Sequence, residues 1–205
     1  MSQIPAPQTL SQKSNQEITE VLNTLFEPCE TLTNYLIPKL FPTGQEQYTS
    51  YKQIIENSRL LLTQLQQEYT INIPSQPTPA QKSLKQTIDK IVSAHPRLGP
   101  PKPTPASQSP SESESLSTHS KSEQASLSTT DPKLAAQLIH LNELYESTFP
   151  GLRFVVFVNG RSREEIMKIM NIRIQRNDLK LEIQEAFDAM CDIALDRARK
   201  LGAKL

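Results

Sequence analysis

Among the titratable residues of this 205-residue chain, His95 has the setting that most suggests a chemical task. It ends a helical run and opens the sequence His95-Pro96-Arg97-Leu98-Gly99. A helix C-terminus carries partial negative charge, which favours a cationic imidazole, and a nearby carboxylate acts the same way. An imidazole so placed can work as general acid or base near neutral pH. It can equally be a helix-ending residue that only satisfies the last carbonyls, and the sequence leaves both readings open. His119 lies in a serine-rich tract, and His140 lies off the apolar stripe of Leu138, Leu141 and Tyr145, so solvent is expected around it. Neither has a partner at metal-ligand spacing. The two cysteines, Cys29 and Cys191, make neither a zinc site nor a disulfide framework, so no metal is expected. Glu123-Gln124 stands in low-complexity sequence and by itself reads as a solvated charge. Arg161 follows the turn pair Asn159-Gly160. It either flanks a pocket and meets an anion there, or sits on the first turn of a surface helix. No nucleophile elbow, glycine-rich phosphate loop or dinucleotide fingerprint is present.

These residues must be held by helices. Residues 1–14 are polar, carry two prolines and are expected to form a disordered tail. Ile18, Leu22, Leu25 and Phe26 recur at helical spacing after Asn15, a candidate N-cap. A second apolar face through Leu32, Tyr35 and Leu36 is expected to stop at Pro38. Longer helices are expected over about 45–69 and 80–94, separated by a proline-rich connection. Residues 100–130 are dominated by serine, proline, threonine and glutamate, which predicts a flexible linker. Asp131-Pro132 then reads as an N-cap with proline at the first helical position. Phe154-Val155-Val156-Phe157-Val158 reads as a short buried extended run. Ser162-Arg163-Glu164-Glu165 has the form of a capping box. A last helix is expected over about 178–201, stopped by Gly202. Its basic residues Arg197, Arg199 and Lys200, with Lys204 beyond, read as a solvated face. One strand-like run among about six helices predicts an all-α domain. That domain spans residues 15–201 and contains an insert over about 100–118.

Charge excludes some functions. Twenty-two basic residues balance 22 acidic ones, which argues against a general binder of nucleic acid or of an anionic membrane. The longest purely apolar run is five residues, far short of the roughly 20 a membrane span needs. Residues 1–10 show no basic or apolar segment of a secretory leader.

Taken together, four boxes in order resemble one family. They are His95-Pro96-Arg97-Leu98-Gly99; Ser120-Lys121-Ser122-Glu123-Gln124; Leu141-Asn142-Glu143-Leu144-Tyr145-Glu146-Ser147-Thr148-Phe149; and the 154–158 run with its turn through Arg163. The chain resembles 2-oxo-4-hydroxy-4-carboxy-5-ureidoimidazoline (OHCU) decarboxylases over about residues 16–201. The resemblance implies an all-α fold, a homodimer, and cofactor-free loss of CO2 from OHCU to give (S)-allantoin in urate breakdown. It implies His95 as catalytic acid or base with Glu123 beside it. It also implies substrate contacts from Pro96, Ser120, Lys121, Ser122, Gln124, Phe154, Val155, Val156, Phe157 and Val158, and from Arg161, which some members place two residues earlier. The connection over 100–118 is longer and richer in serine and proline than is usual in the family. In such a reaction the protein supplies orientation, charge stabilisation and a proton to one face.

The last three residues, Ala203-Lys204-Leu205, match the small–basic–leucine pattern of peroxisomal addresses. With Gly202 ending the helix, the tripeptide is expected to project freely to an import receptor, with the cytoplasm as the alternative location. The rival functional reading is a non-catalytic helical interaction module with a Ser/Pro-rich regulatory insert.

Overall fold

The structure is a computed structural model that describes residues 4–42, 48–71, 78–99 and 132–205. Its helices begin where local chemistry starts them. Ser14, Thr78 and Ser162 each accept a hydrogen bond from the backbone N–H three residues on. Glu17, Gln81 and Glu165 reach back to the cap, so three helices open with a capping box. Among the described residues the order is a 3-10 helix, Pro7–Gln12, then α1 (Asn15–Leu25), α2 (Glu30–Leu40), α3 (Tyr51–Thr70), α4 (Pro79–Ser93), α5 (Pro132–Thr148), α6 (Arg163–Arg176) and α7 (Leu179–Lys200). No described residue is in a strand, and the all-α expectation holds.

The two longest helices, α3 and α7, form the central pair. Ile54, Ile55 and Leu62 of α3 and Ile183, Phe187 and Ala194 of α7 are fully buried. Arg59 adds a polar clip between them, with Nη1 2.9 Å from Asp188 Oδ1 and Nη2 2.7 Å from Asp192 Oδ1. Helices α1, α2 and α4 pack around this pair, and α5 packs on α6. No described helix is long and apolar enough to cross a membrane.

Several expectations are corrected here. The N-terminal stretch expected as a disordered tail carries the 3-10 helix, because Leu10 is buried in the core and the Tyr51 hydroxyl donates to the Pro5 carbonyl at 2.8 Å. The cap of α1 is Ser14, not Asn15. Helix α2 runs past Pro38 to Leu40, since Ile37 and Leu40 on either side of the proline are buried and Phe41 N–H still reaches the Ile37 carbonyl at 3.0 Å. Gly202 does end α7, at φ +70°. The residues after it do not project freely. Ala203 N–H donates to the Ala198 carbonyl at 3.0 Å, and the Lys204 carbonyl accepts from Tyr51 N–H at 2.9 Å. Tyr51 is the first residue of α3, so its amide has no intrahelical acceptor and the tail supplies one. The insert over 100–118 and the box Ser120-Lys121-Ser122-Glu123-Gln124 lie outside the described residues.

Candidate active site

Helix α4 delivers His95. The last turn tightens, so that His95 N–H donates to the Val92 carbonyl at 3.2 Å. Ile88, Ile91 and Val92 face the core, which carries the chain inward at its exit, and His95 is only 4% exposed. Its Nε2 is buried and has no hydrogen-bond partner among the described residues. A buried polar atom without a partner is costly and calls for a physical reason, a catalytic role among them.

The loop after His95 is stitched to α5. Arg97 Nε donates to Glu146 Oε1 at 2.6 Å, and its Nη2 meets the other carboxylate oxygen. Asn142 Nδ2 donates to the Leu98 carbonyl at 3.0 Å as well as to Leu138 in its own helix. Gly99 lies at φ +95°, and a Cβ there would sit 2.5 Å from Leu138 Cδ2. Only glycine combines that backbone with that approach. The two boxes therefore meet in space, and Asn142 and Glu146 make the meeting specific.

The fourth box, the 154–158 run, joins them through the residue just before it. Arg153 Nη1 donates to the His95 carbonyl at 2.9 Å. The segment 154–158, expected as a short buried extended run, lies outside any helix, and no described strand pairs with it. Side chains replace the missing ladder. Arg173 Nη1 donates to the Val155 carbonyl at 3.0 Å, and its guanidinium lies 4.7 Å from the centre of the Phe154 ring. Arg173 is itself held by Glu182 through Nε at 3.0 Å and Nη2 at 2.5 Å, and the Tyr145 hydroxyl donates to the same carboxylate. The Tyr145 and Phe154 rings meet edge-on at 5.4 Å. Burial and the adjacent Glu182 push the Tyr145 hydroxyl well above its ordinary range, so it remains a donor. Phe154 and Val155 are buried, whereas Pro96, Val156, Phe157 and Val158 are half-buried. Arg161 is exposed and folds back on its own turn, with Nη1 2.8 Å from the Phe157 carbonyl.

The electrostatics of His95 reverse one expectation. The helix C-terminus was expected to favour a cation, yet burial pushes the imidazole down to about 4. Three charges modulate that effect: Glu27 opposes it, and Arg197 and Arg153 add to it. Arg197 also corrects the sequence reading. Instead of lying on a solvated face, it is 1% exposed and donates through Nη2 to Glu27 Oε1 at 2.7 Å; Glu27 itself is 3% exposed. Arg199 and Lys200 remain exposed. Glu27, Arg153, Arg173 and Arg197 were all missed. A signal existed for Arg197, which continues the Met190–Ala194 spacing of the inward stripe of α7.

His140 is exposed, as expected. Among the described residues no group of three or more histidines, cysteines or carboxylates is placed to hold a metal ion. The arrangement presents one buried neutral imidazole whose surroundings are fixed by ion pairs. Comparison with known families gives one match: a family model described as OHCU decarboxylase covers residues 11–199. No curated protein matches the chain.

Proposed function

The chain belongs to the OHCU decarboxylase family, and from that membership, which gives it a decarboxylase role in urate degradation, we propose that it converts OHCU to (S)-allantoin without a cofactor, using His95 to move the proton. The carbon that carries the substrate carboxylate also carries a hydroxyl. Breaking the bond to CO2 leaves the electron pair on the ring, which takes a proton from solvent at a ring nitrogen to become an enol. The hydroxyl proton then departs as a carbonyl forms, and one proton is added to the neighbouring ring carbon from one face. A neutral imidazole suits this sequence, because it can take the hydroxyl proton at Nε2 and return a proton to carbon. An imidazole already protonated could not accept the hydroxyl proton.

The observation that carries the reading is the buried Nε2 of His95, without a partner among the described residues, on a loop tied by hydrogen bonds to α5 and to Arg153. Glu123 is assigned to orient the imidazole or to accept the hydroxyl proton. Pro96, the box 120–124 and the segment 154–158 are assigned to line the pocket, and Arg161 to reach the substrate's anionic edge. The turn that Arg161 now caps must then release it.

The test is to add freshly generated OHCU and follow its ultraviolet absorbance together with the optical rotation of the product. His95→Ala and Glu123→Ala are each expected to lose at least about a hundredfold in rate, the lower end of what a positioned acid–base group supplies. Helical circular dichroism is expected to stay unchanged. Exhaustive chelation and dialysis are expected to leave the rate intact. Wild-type turnover by His95→Ala would overturn the assignment, and absence of turnover by the wild-type chain would favour the interaction-module reading.

A further inference from the structure

A buried imidazole that accepts a proton needs a counter-charge. Two of the charges acting on His95, Arg153 and Arg197, are cations, and desolvation opposes protonation further. Among the described residues Glu27 is the one carboxylate that acts on it, and of those charges it has the strongest effect; Glu123, assigned above to the imidazole or the substrate hydroxyl, lies outside them.

Several contacts fix that carboxylate. Arg197 Nη2 holds Glu27 Oε1 at 2.7 Å, while Nη1 of the same guanidinium donates to the Leu25 carbonyl at 3.4 Å, at the end of α1. Two residues beyond Glu27, the Cys29 thiol donates to the Lys90 carbonyl at 3.7 Å. That contact pins the link between α1 and α2 against the last turns of α4, just ahead of His95. Arg153 is fixed as well, through the His95 carbonyl. The charges around the imidazole thus come from the α1–α2 link, from α7 and from the α5–α6 link, each held in place before any substrate arrives. Buried ion pairs are poor stabilisers, since apolar residues of the same volume often serve as well or better. The location of this pair beside His95 suits a different task.

We propose that Glu27, clamped by Arg197, is a positioning residue for the reaction, its carboxylate balancing the charge of His95 while the imidazole carries the substrate's proton. The proposal rests on His95 being the proton carrier. Glu27 touches neither substrate nor reacting atoms; it acts through His95, by making the protonated intermediate state of the imidazole accessible in a buried site.

The experiment compares wild type, Glu27→Gln and Glu27→Asp in the OHCU assay across pH. Glu27→Gln is expected to lower kcat about ten- to a hundredfold, as loss of one close opposite charge shifts a titration by about one to two units. KM is expected to change less than about twofold, and the acidic limb of kcat/KM to move to lower pH. Glu27→Asp keeps the charge and is expected to restore most of kcat. If Glu27→Gln does not fold, the double change Glu27→Leu with Arg197→Met replaces the pair by apolar groups and tests the same point. The double variant is expected to fold and to show a smaller loss in kcat in the same direction, because the carboxylate outweighs the guanidinium in its effect on His95 and removing both cancels part of the change. A purely structural pair predicts lower stability with kcat and the acidic limb unmoved in whichever variant folds, and that result overturns the proposal. His95→Ala separates the two failures. If it retains turnover, the catalytic reading fails; if it is inactive while neutralising Glu27 changes nothing, only the role of Glu27 fails.

Discussion

Acid should weaken this fold through His95, by an amount that follows from its burial. An unfolded histidine titrates near 6.5, whereas the buried imidazole takes a proton only near 4. Between those values the unfolded chain binds a proton that the folded chain does not, so unfolding gains as pH falls. Above about pH 7 both states are neutral at this site and the stabilising difference is complete. Over the full window it is lost, and 2.5 units at 1.36 kcal/mol per unit makes about 3 kcal/mol. Urea unfolding at a series of pH values, for wild type and His95→Gln, isolates this share from the carboxylates that also titrate. The stability advantage of wild type over the variant is expected to shrink by about 3 kcal/mol between pH 7.5 and 4, roughly 1 M in urea midpoint for a chain of this size. Below pH 4 the gap levels off. A gap that stays constant to within about 0.5 kcal/mol, the scatter usual for independent sites, would refute the reasoning. His95 would then titrate alike in both states and could not be the buried neutral imidazole described.

Other perturbations read other parts of the site. Arg173→Met strips the Val155 carbonyl of its donor and leaves the buried Glu182 only the Arg176 guanidinium at 3.3 Å and the Tyr145 hydroxyl; thermal and urea unfolding are expected to show a loss of about 3 kcal/mol. Gly99→Ala places a methyl against Leu138 at an unfavourable φ, so a stability cost of about 1–3 kcal/mol is expected, together with a fall in turnover as the histidine loop shifts. The terminal tripeptide serves as an address only when it is released from Ala198 and Tyr51; with that release, a fluorescent protein fused to the N-terminus is expected to gather in peroxisomal puncta in a eukaryotic host and to disperse when Ala203-Lys204-Leu205 is deleted, and puncta that survive the deletion would exclude that tripeptide as the address.

The helices were legible in the sequence because their signals are local. A capping box at Ser162 or an apolar stripe through Ile88, Ile91 and Val92 is complete within a few turns. The boxes around His95 and Asn142 were legible as sequence, but not the hydrogen bond that joins Asn142 to Leu98, 44 residues away. Charges were the hardest to read. A basic residue near the end of a helix is ordinarily solvated, and Arg197 departs from that rule only through a carboxylate 170 positions earlier. His95 shows the same limit. Its helix terminus argues for a cation, and burial, which depends on the whole packing, argues more strongly against one. Leu10 was hidden for the opposite reason: one apolar residue in a polar stretch carries no periodicity, although it is nearly inaccessible to water.

The position of α7 bears on how the chain is made. This helix is a partner to α1, α3 and α4, yet it is translated after all of them. Until it emerges from the ribosome, Leu25, Ile54 and Ile88 lack the surface that covers them, and Glu27 has no Arg197. The earlier helices must therefore wait on the growing chain as an unfinished, sticky intermediate, of the kind that chaperones shield. Closing the core requires pairings across most of the sequence, which slows folding relative to a bundle of neighbouring hairpins. Synthesis that stalls or terminates ahead of α7 leaves a product with no route to the native state, and the cell's quality control meets it as an unfolded chain rather than as a smaller working enzyme.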